Sequence, residues 1–149
     1  MKIAIGSDHR GFDVKRRLVQ YLQNQGHEVL DLGTDQPDPC DYPDIAFAVA
    51  DAVSQQQCDR GILICNTGIG MSIAANKVSG VLAALCHDPI TAEMSRRHND
   101  ANILCLSAHL LGEEALVQMV NLFLTTDFEG GRHARRVERI REHERKNWC

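Results

Sequence analysis

The sequence predicts an α/β fold, a Rossmann-like three-layer sandwich built on a five-stranded parallel sheet. Short apolar runs alternate along the chain with segments of helical spacing. Five such runs separated by helices are typical of parallel strands that are covered on both faces. No repeat, low-complexity tract or linker interrupts the 149 residues, so we expect one domain over residues 1–149, with a helical tail over about 132–147.

The elements follow from local patterns. The apolar runs predict strands at residues 2–6, 27–32, 61–65, 81–85 and 102–106. Helices are predicted at residues 12–25, 44–57, 70–77, 89–97, 112–125 and 133–146. Asp88 and Pro89 suit an N-cap and the first helical position, and Gly33 to Tyr42, rich in Pro and Asp, predicts a loop. Right-handed crossovers place helices on both faces, and the simplest strand order is 2-1-3-4-5.

Composition excludes several classes of protein. The formal charge is −4, and an acidic body argues against a general nucleic-acid binder. No apolar run reaches membrane-spanning length and no signal peptide is recognisable, so we expect a cytoplasmic protein. None of the six cysteines stands in a CxxC pair, which favours free thiols over disulfides or a zinc knuckle.

Residues 61–77, GILICNTGIGMSIAANK, carry the strongest chemical signal. A buried strand ends in Cys65, and a glycine-containing loop then leads into a helix. Backbone amides at such a junction stabilise anions, including a thiolate. The alternative is that Cys65 is a small buried hydrophobe. A dinucleotide fingerprint fails because position 73 is Ile73, and a cysteine-phosphatase loop fails because position 71 is Met71.

Other polar residues follow the ends of the predicted strands and helices. Asp8 and His9 follow the first strand, although a helix cap explains Asp8 equally well. His98 follows a helix and therefore belongs to the opposite edge of the sheet, so it can meet Cys65 only across a subunit boundary. Alternatively, His98 only ends the helix, where a histidine suits the negative end of the helix dipole. Arg132 after Gly130–Gly131 suits a phosphate dianion.

Together these segments resemble the type B ribose-5-phosphate isomerase family, which includes allose- and galactose-6-phosphate isomerases. The matching stretches are SDHRGFDVK, DYP, GILICNTGIGMSIAANK, SRRHNDANIL and FEGGRHARRV. The resemblance implies a homodimer with shared sites, or a tetramer, no metal or organic cofactor, and a swap of the last two strands. It also implies reversible conversion of ribose 5-phosphate to ribulose 5-phosphate through an enediolate.

The resemblance also assigns roles to individual residues. Cys65 would be the base, and Asp8, Thr67 and His98 would open the sugar ring or move hydroxyl protons. Asn99 would bind sugar hydroxyls. Amides of the loop would hold the enediolate oxygen, at Asn66, Gly68, Ile69 and Gly70. Finally, the phosphate would be held by His9, Arg132 and Arg136.

Two alternatives to a ribose 5-phosphate isomerase of this kind belong to other functional classes. One is a non-catalytic phosphosugar-binding protein, which would need Arg132 and the glycine loop but not Cys65. The other is a metal-dependent hydrolase using Cys86, His87 and His109, although packing of Cys86 and Cys105 in the core is the simpler expectation. Within the isomerase family, allose 6-phosphate or galactose 6-phosphate is the alternative substrate.

Overall fold

The computed structural model describes residues 1–148, and Cys149 lies outside the described residues. Within them the chain forms five strands, six α-helices and one 3-10 turn, His9–Gly11. The strands are β1 Lys2–Ser7, β2 Glu28–Asp31, β3 Arg60–Cys65, β4 Ala83–Leu85 and β5 Ile103–Ser107. The helices are α1 Phe12–Asn24, α2 Tyr42–Ser54, α3 Ile69–Ala75, α4 Pro89–Arg97, α5 Glu113–Thr125 and α6 Arg132–Asn147.

All strand pairs are parallel, and the order across the sheet is β2-β1-β3-β5-β4. The simplest order, 2-1-3-4-5, is therefore wrong, and the swap of the last two strands that the family resemblance implied is confirmed. The chain reaches the sheet edge with β4, which is three residues long, and returns through α4 to add β5 beside β3. The longer and fully buried β5 thus occupies the interior position.

Helices cover both faces of the sheet, so the predicted three-layer α/β/α sandwich is confirmed. One apolar cluster joins α1, α4 and α5 to one face, with Leu22 and Phe123 fully buried. The second cluster joins α2 and α3 to the other face. Alternation along β3 divides its side chains between them, because Ile64 enters the first cluster and Cys65 the second.

The last helix, α6, is attached to loops at the edge where the strands begin. Glu144 accepts a hydrogen bond from the amide of Gly80 at 3.0 Å, in the loop before β4. Arg141 pairs with Asp100, which precedes β5, at 3.1 Å. Val137 is buried, whereas most other side chains of α6 are exposed. These contacts fix α6 at the amino edge of the sheet, opposite the end at which the strands finish.

Candidate active site

The direction in which strands are added to the sheet reverses between β1 and β3, and we call the region at the carboxyl ends of these two strands the crevice. The chain leaves β1 toward β2 on one side, whereas β3 and β5 lie on the other. In open α/β sheets, ligands bind at this switch point. The segments after the two strands meet there, because the amide of Asp8 donates to the carbonyl oxygen of Ile64 at 3.3 Å. Asp8 and Cys65 therefore lie at the same end of the sheet, where β1 and β3 finish.

Cys65 ends β3 beneath the loop that leads into α3. Its residue is 6% exposed, and its sulfur accepts a hydrogen bond from the amide of Gly68 at 3.1 Å. The backbone around it is held from β5, since Ala108 donates to the Cys65 carbonyl at 2.9 Å and Ser107 Oγ donates to the Asn66 carbonyl at 2.7 Å. The sulfur is therefore fixed at the strand end, facing a backbone N–H donor, rather than sealed in mid-strand.

The loop after Cys65 depends on glycine at two positions. Gly68 has φ +81°, and a Cβ there would lie 2.7 Å from Leu85 Cδ1 and 3.1 Å from the Leu106 carbonyl. At Gly70, a Cβ would lie 2.5 Å from the ring of Tyr42. Both sites leave no room for a side chain, and Gly68 also has a backbone conformation that other residues rarely adopt.

Two amides of the loop already donate hydrogen bonds to nearby side chains. Thr67 Oγ1 accepts from the amide of Ile69 at 3.3 Å, as the Cys65 sulfur does from Gly68. Asn66 and Ile69 are exposed, and Thr67 is half-buried. The predicted loop residues are thus gathered around the sulfur, with two of their amides directed at atoms that take part in the expected chemistry.

Asp8 and His9 begin the 3-10 turn on the opposite wall of the crevice. The Asp8 carboxylate is buried and accepts from the amides of Arg10 and Gly11 at 2.9 and 3.2 Å. The helix-cap interpretation is therefore correct for one of its oxygens. His9 Nδ1 accepts from the amide of Cys40 at 3.3 Å, so Nε2 is the nitrogen left to carry a proton.

The remaining predicted residues form a second group at the amino edge. His98 caps the end of α4, and its ring stacks on that of His133 with centroids 4.1 Å apart. Asn99 follows it and is exposed. Arg132 and Arg136 are exposed in the first two turns of α6. Burial lowers the pKa of His133, with smaller contributions from His98 and Arg132.

The two groups cannot meet within one chain. Cys65 is paired in register with Ser107, at the end of β5, whereas His98 precedes Ile103, at its start. Four residue steps lead from Ile103 to Ser107, which corresponds to about 13 Å at a rise of about 3.3 Å per residue. The structure therefore divides the predicted site into a carboxyl-edge half and an amino-edge half.

Cys86 and Cys105 pack in the core, as the simpler sequence expectation had it. Cys86 and Cys105 are buried, and burial raises the pKa of both thiols. The proposed hydrolase trio is not assembled, because His87 and His109 are exposed and the described residues show no metal-ligand cluster around Cys86. The cluster that residues 1–148 do form consists of His98, Glu129 and His133.

Two contributors were missed from the sequence. The Tyr42 ring lies against Gly70, and Ser107 Oγ braces the loop while accepting from the amide of Leu110 at 2.9 Å. The stretch DYP contains Tyr42 and begins α2, but nothing local indicates that its ring reaches Gly70. Ser107 is the polar last residue of an otherwise apolar buried strand, and this position in the sequence was the signal that its side chain lies at the crevice.

Comparison with known proteins identifies relatives over nearly the full chain. Residues 3–140 match the model of a family described as Ribose/Galactose Isomerase. Ribose-5-phosphate isomerase B from Escherichia coli is 47% identical over 139 residues, covering 93% of each chain. Among the described helices, none combines the length and apolar character needed to cross a bilayer.

Solved structures of relatives share the fold. Ribose-5-phosphate isomerase B from Clostridium thermocellum is 51% identical, with a TM-score of 0.96 over 98% of this chain and 99% of that one. The enzyme from Mycoplasma genitalium, solved with bound ribulose-5-phosphate, is 44% identical, with a TM-score of 0.95 over 98% and 97% of the two chains.

Proposed function

The chain belongs to the ribose/galactose isomerase family, and from this premise we propose that it interconverts ribose 5-phosphate and ribulose 5-phosphate. The observation that carries the proposal is the Mycoplasma genitalium relative with bound ribulose-5-phosphate, whose chain superposes on this one with a TM-score of 0.95. The Escherichia coli relative, at 47% identity, supports the same substrate.

Cys65 is the base that moves a proton between C1 and C2 of the open-chain sugar. As a thiolate it removes the proton from C2 of the aldose, and the electron pair of that C–H bond forms the enediolate while the carbonyl oxygen becomes negative. The thiol then returns the proton to C1 while the hydroxyl proton on O2 moves to O1, which leaves the carbonyl at C2 and gives the ketose. The Gly68 N–H, 3.1 Å from the sulfur, supports this role because amide donors bind a charged acceptor more strongly than a neutral one.

The loop amides stabilise the oxygen that becomes negative. Each preorganised donor at such an oxygen contributes ~3 kcal/mol to the barrier reduction. The amides of Asn66, Ile69 and Gly70 are candidates, and so is the Gly68 amide where it is shared between the Cys65 sulfur and the substrate oxygen. Substrate oxygen competes for the Ile69 amide with Thr67 Oγ1, which frees that hydroxyl for proton transfer during ring opening.

The residues that bind the phosphate, and those that carry protons during ring opening, come from both halves of the site. His9 lies beside the crevice, whereas Arg132 and Arg136 present exposed guanidinium groups at the amino edge. Phosphate binding far from the reacting carbons positions them against the base. Asp8 and His98 move the hydroxyl protons, and Asn99 binds sugar hydroxyls.

A site completed by a second copy of the chain follows from this division. His98, Asn99, Arg132 and Arg136 of one subunit meet the Cys65 crevice of its partner in a homodimer. An exposed apolar surface on α2 and α3 supports such an assembly. It comprises Tyr42, Phe47, Ile69 and Ile73, with Ile73 60% exposed, and it adjoins the loop after Cys65.

A panel of aldose phosphates tests the proposal. The purified protein is given ribose 5-phosphate, allose 6-phosphate and galactose 6-phosphate, and formation of each ketose is measured. We expect the highest kcat/KM with ribose 5-phosphate. Turnover of a hexose phosphate alone would reassign the substrate, and binding of the phosphates without any turnover would indicate a phosphosugar-binding protein instead.

A further inference from the structure

Three side chains with metal-ligand atoms converge where α4 ends and α6 begins. His98, Glu129 and His133 each offer a nitrogen or carboxylate oxygen, and these atoms all lie within 4.8 Å of one another. Glu129 Oε1 is 3.9 Å from His133 Nε2. The two imidazole rings are nearly parallel, at an interplanar angle of 12°. Stacking explains how the two rings pack, but it does not explain why ring nitrogens of both histidines lie so close to the Glu129 carboxylate.

The buried nitrogen of His133 is the observation that points to a ligand. His133 is 7% exposed, and its Nε2 has no hydrogen-bond partner within the described chain. The nearest carboxylate oxygen, at 3.9 Å, is beyond hydrogen-bond reach. A buried polar atom without a partner costs free energy, and such atoms are uncommon in folded proteins. A ligand between this nitrogen and Glu129 would remove that cost.

The backbone and Arg97 hold Glu129 in a position from which it can share a ligand with His133. The Glu129 amide donates to the Arg97 carbonyl at 3.0 Å, and Arg97 Nη2 binds Glu129 Oε2 at 3.0 Å. Oε1 is therefore left facing His133. Arg97 also pairs with Glu93 at 3.3 Å, which holds the guanidinium from a second side.

We propose that His98, Glu129 and His133 bind a divalent transition-metal ion of the Zn²⁺ class, and that the bound ion inhibits the isomerase. Two imidazoles and one carboxylate are a donor set that Zn²⁺ accepts, with a fourth position left for water or a phosphate oxygen. Tetrahedral bonds of about 2.1 Å place ligand atoms about 3.4 Å apart. The ligand atoms, which lie within 4.8 Å of one another, must therefore move closer, and the two stacked rings must tilt apart so that both nitrogen lone pairs point at the ion.

Inhibition rests on the proposed function, in which His98 moves a sugar proton. A metal ion on the imidazole takes the lone pair that would accept that proton. It also ties His98 to α6 through His133, so that the ring cannot turn toward the crevice of the partner. The ion is thus a regulatory ligand rather than a cofactor of the reaction.

Calorimetric titration with Zn²⁺ tests the site independently of activity. We expect one high-affinity ion per chain at the trio, and at least about tenfold weaker binding in Glu129→Gln and in His133→Ala. Glu93→Gln is the matched control, because it removes the other carboxylate bound to Arg97 but no ligand, and it should bind as the parent does. Equal affinity in all four proteins would overturn the site.

Activity at micromolar Zn²⁺, with and without EDTA, tests the inhibition. We expect reversible loss of turnover in the parent and in Glu93→Gln, and resistance in Glu129→Gln. Inhibition that persists in Glu129→Gln would assign the effect to another group, such as the Cys65 sulfur, and would overturn the inhibitory role. Tight binding at the trio without inhibition would do the same while leaving the metal site intact. Absence of turnover before any metal is added would instead contradict the proposed function.

Discussion

The Cys65 sulfur and the Gly68 amide form the contact on which the proposed chemistry depends. The contact exists because a strand ends at residue 65 and the chain turns sharply enough to direct an amide back at the side chain. That turn requires the positive φ of Gly68, where a Cβ would strike Leu85 and Leu106. The conformation of Gly68, packed against Leu85 and Leu106, therefore places its amide 3.1 Å from the Cys65 sulfur.

Replacement of the base removes turnover without unfolding the chain. We expect Cys65→Ala to lower kcat by at least about 100-fold, the lower range for loss of a general base, because the methyl group of alanine cannot accept the C2 proton. Steady-state kinetics and circular dichroism measure the two effects. Cys86→Ala is the control, since it also removes a buried sulfur near the end of a strand, and it should keep normal turnover. Near-normal kcat in Cys65→Ala would exclude the thiol as base.

Arg132 is predicted to act through substrate binding. We expect Arg132→Ala to raise KM for ribose 5-phosphate by about tenfold or more, as loss of a charge-assisted contact to phosphate implies. The neighbouring Arg135→Ala removes the same charge from an exposed position and should change KM little. If both variants raise KM by the same factor, Arg132 does not contact the phosphate specifically, and the change in KM reflects the net charge of the protein.

The sequence predicted the carboxyl-edge residues because they directly follow apolar strands. Cys65 and Asp8 were therefore placed correctly relative to the sheet. Contacts between distant segments had no such signal. The Tyr42 ring on Gly70 and the His98–His133 stack join residues from different elements, and each depends on how two helices pack. Local periodicity carries no information on that packing.

Among the elements, α4 has the most explicit start signal. The Asp88 carboxylate accepts from the Thr91 amide at 2.7 Å, and the Thr91 hydroxyl oxygen accepts from the Asp88 amide at 3.4 Å, which completes a capping box with Pro89 at the first position. The sequence predicts this start because each participant lies within four residues of the next. The order of β4 and β5 was not encoded so locally, since a helical crossover of this length can place β5 on either side of β4.

The cap is predicted to contribute measurably to stability. We expect Asp88→Ala to lower the free energy of unfolding by about 1 kcal/mol, because it leaves amides of the first turn without an acceptor. Urea denaturation followed by circular dichroism measures the change. Asp41→Ala is the matched control, since Asp41 precedes α2 but makes no capping hydrogen bond. A loss of equal size in both variants would contradict the assigned role of the cap.

At the scale of the whole molecule, the two halves of the candidate site lie at opposite edges of one sheet. The carboxyl edge carries the base and the glycine loop, and the amino edge carries the exposed arginines and His98. Neither half is a complete isomerase site. In the proposed homodimer, a two-fold rotation that brings one amino edge to the partner's carboxyl edge creates two identical sites.

Complementation between two inactive variants tests this central claim most directly. Cys65→Ala and His98→Asn are each purified, mixed, unfolded together and refolded, and turnover of ribose 5-phosphate is compared with each variant treated alone. Random pairing makes half of the dimers mixed, and each mixed dimer has one intact site, so we expect about a quarter of the parent activity. Activity no higher than that of the separate variants would contradict a site shared between subunits.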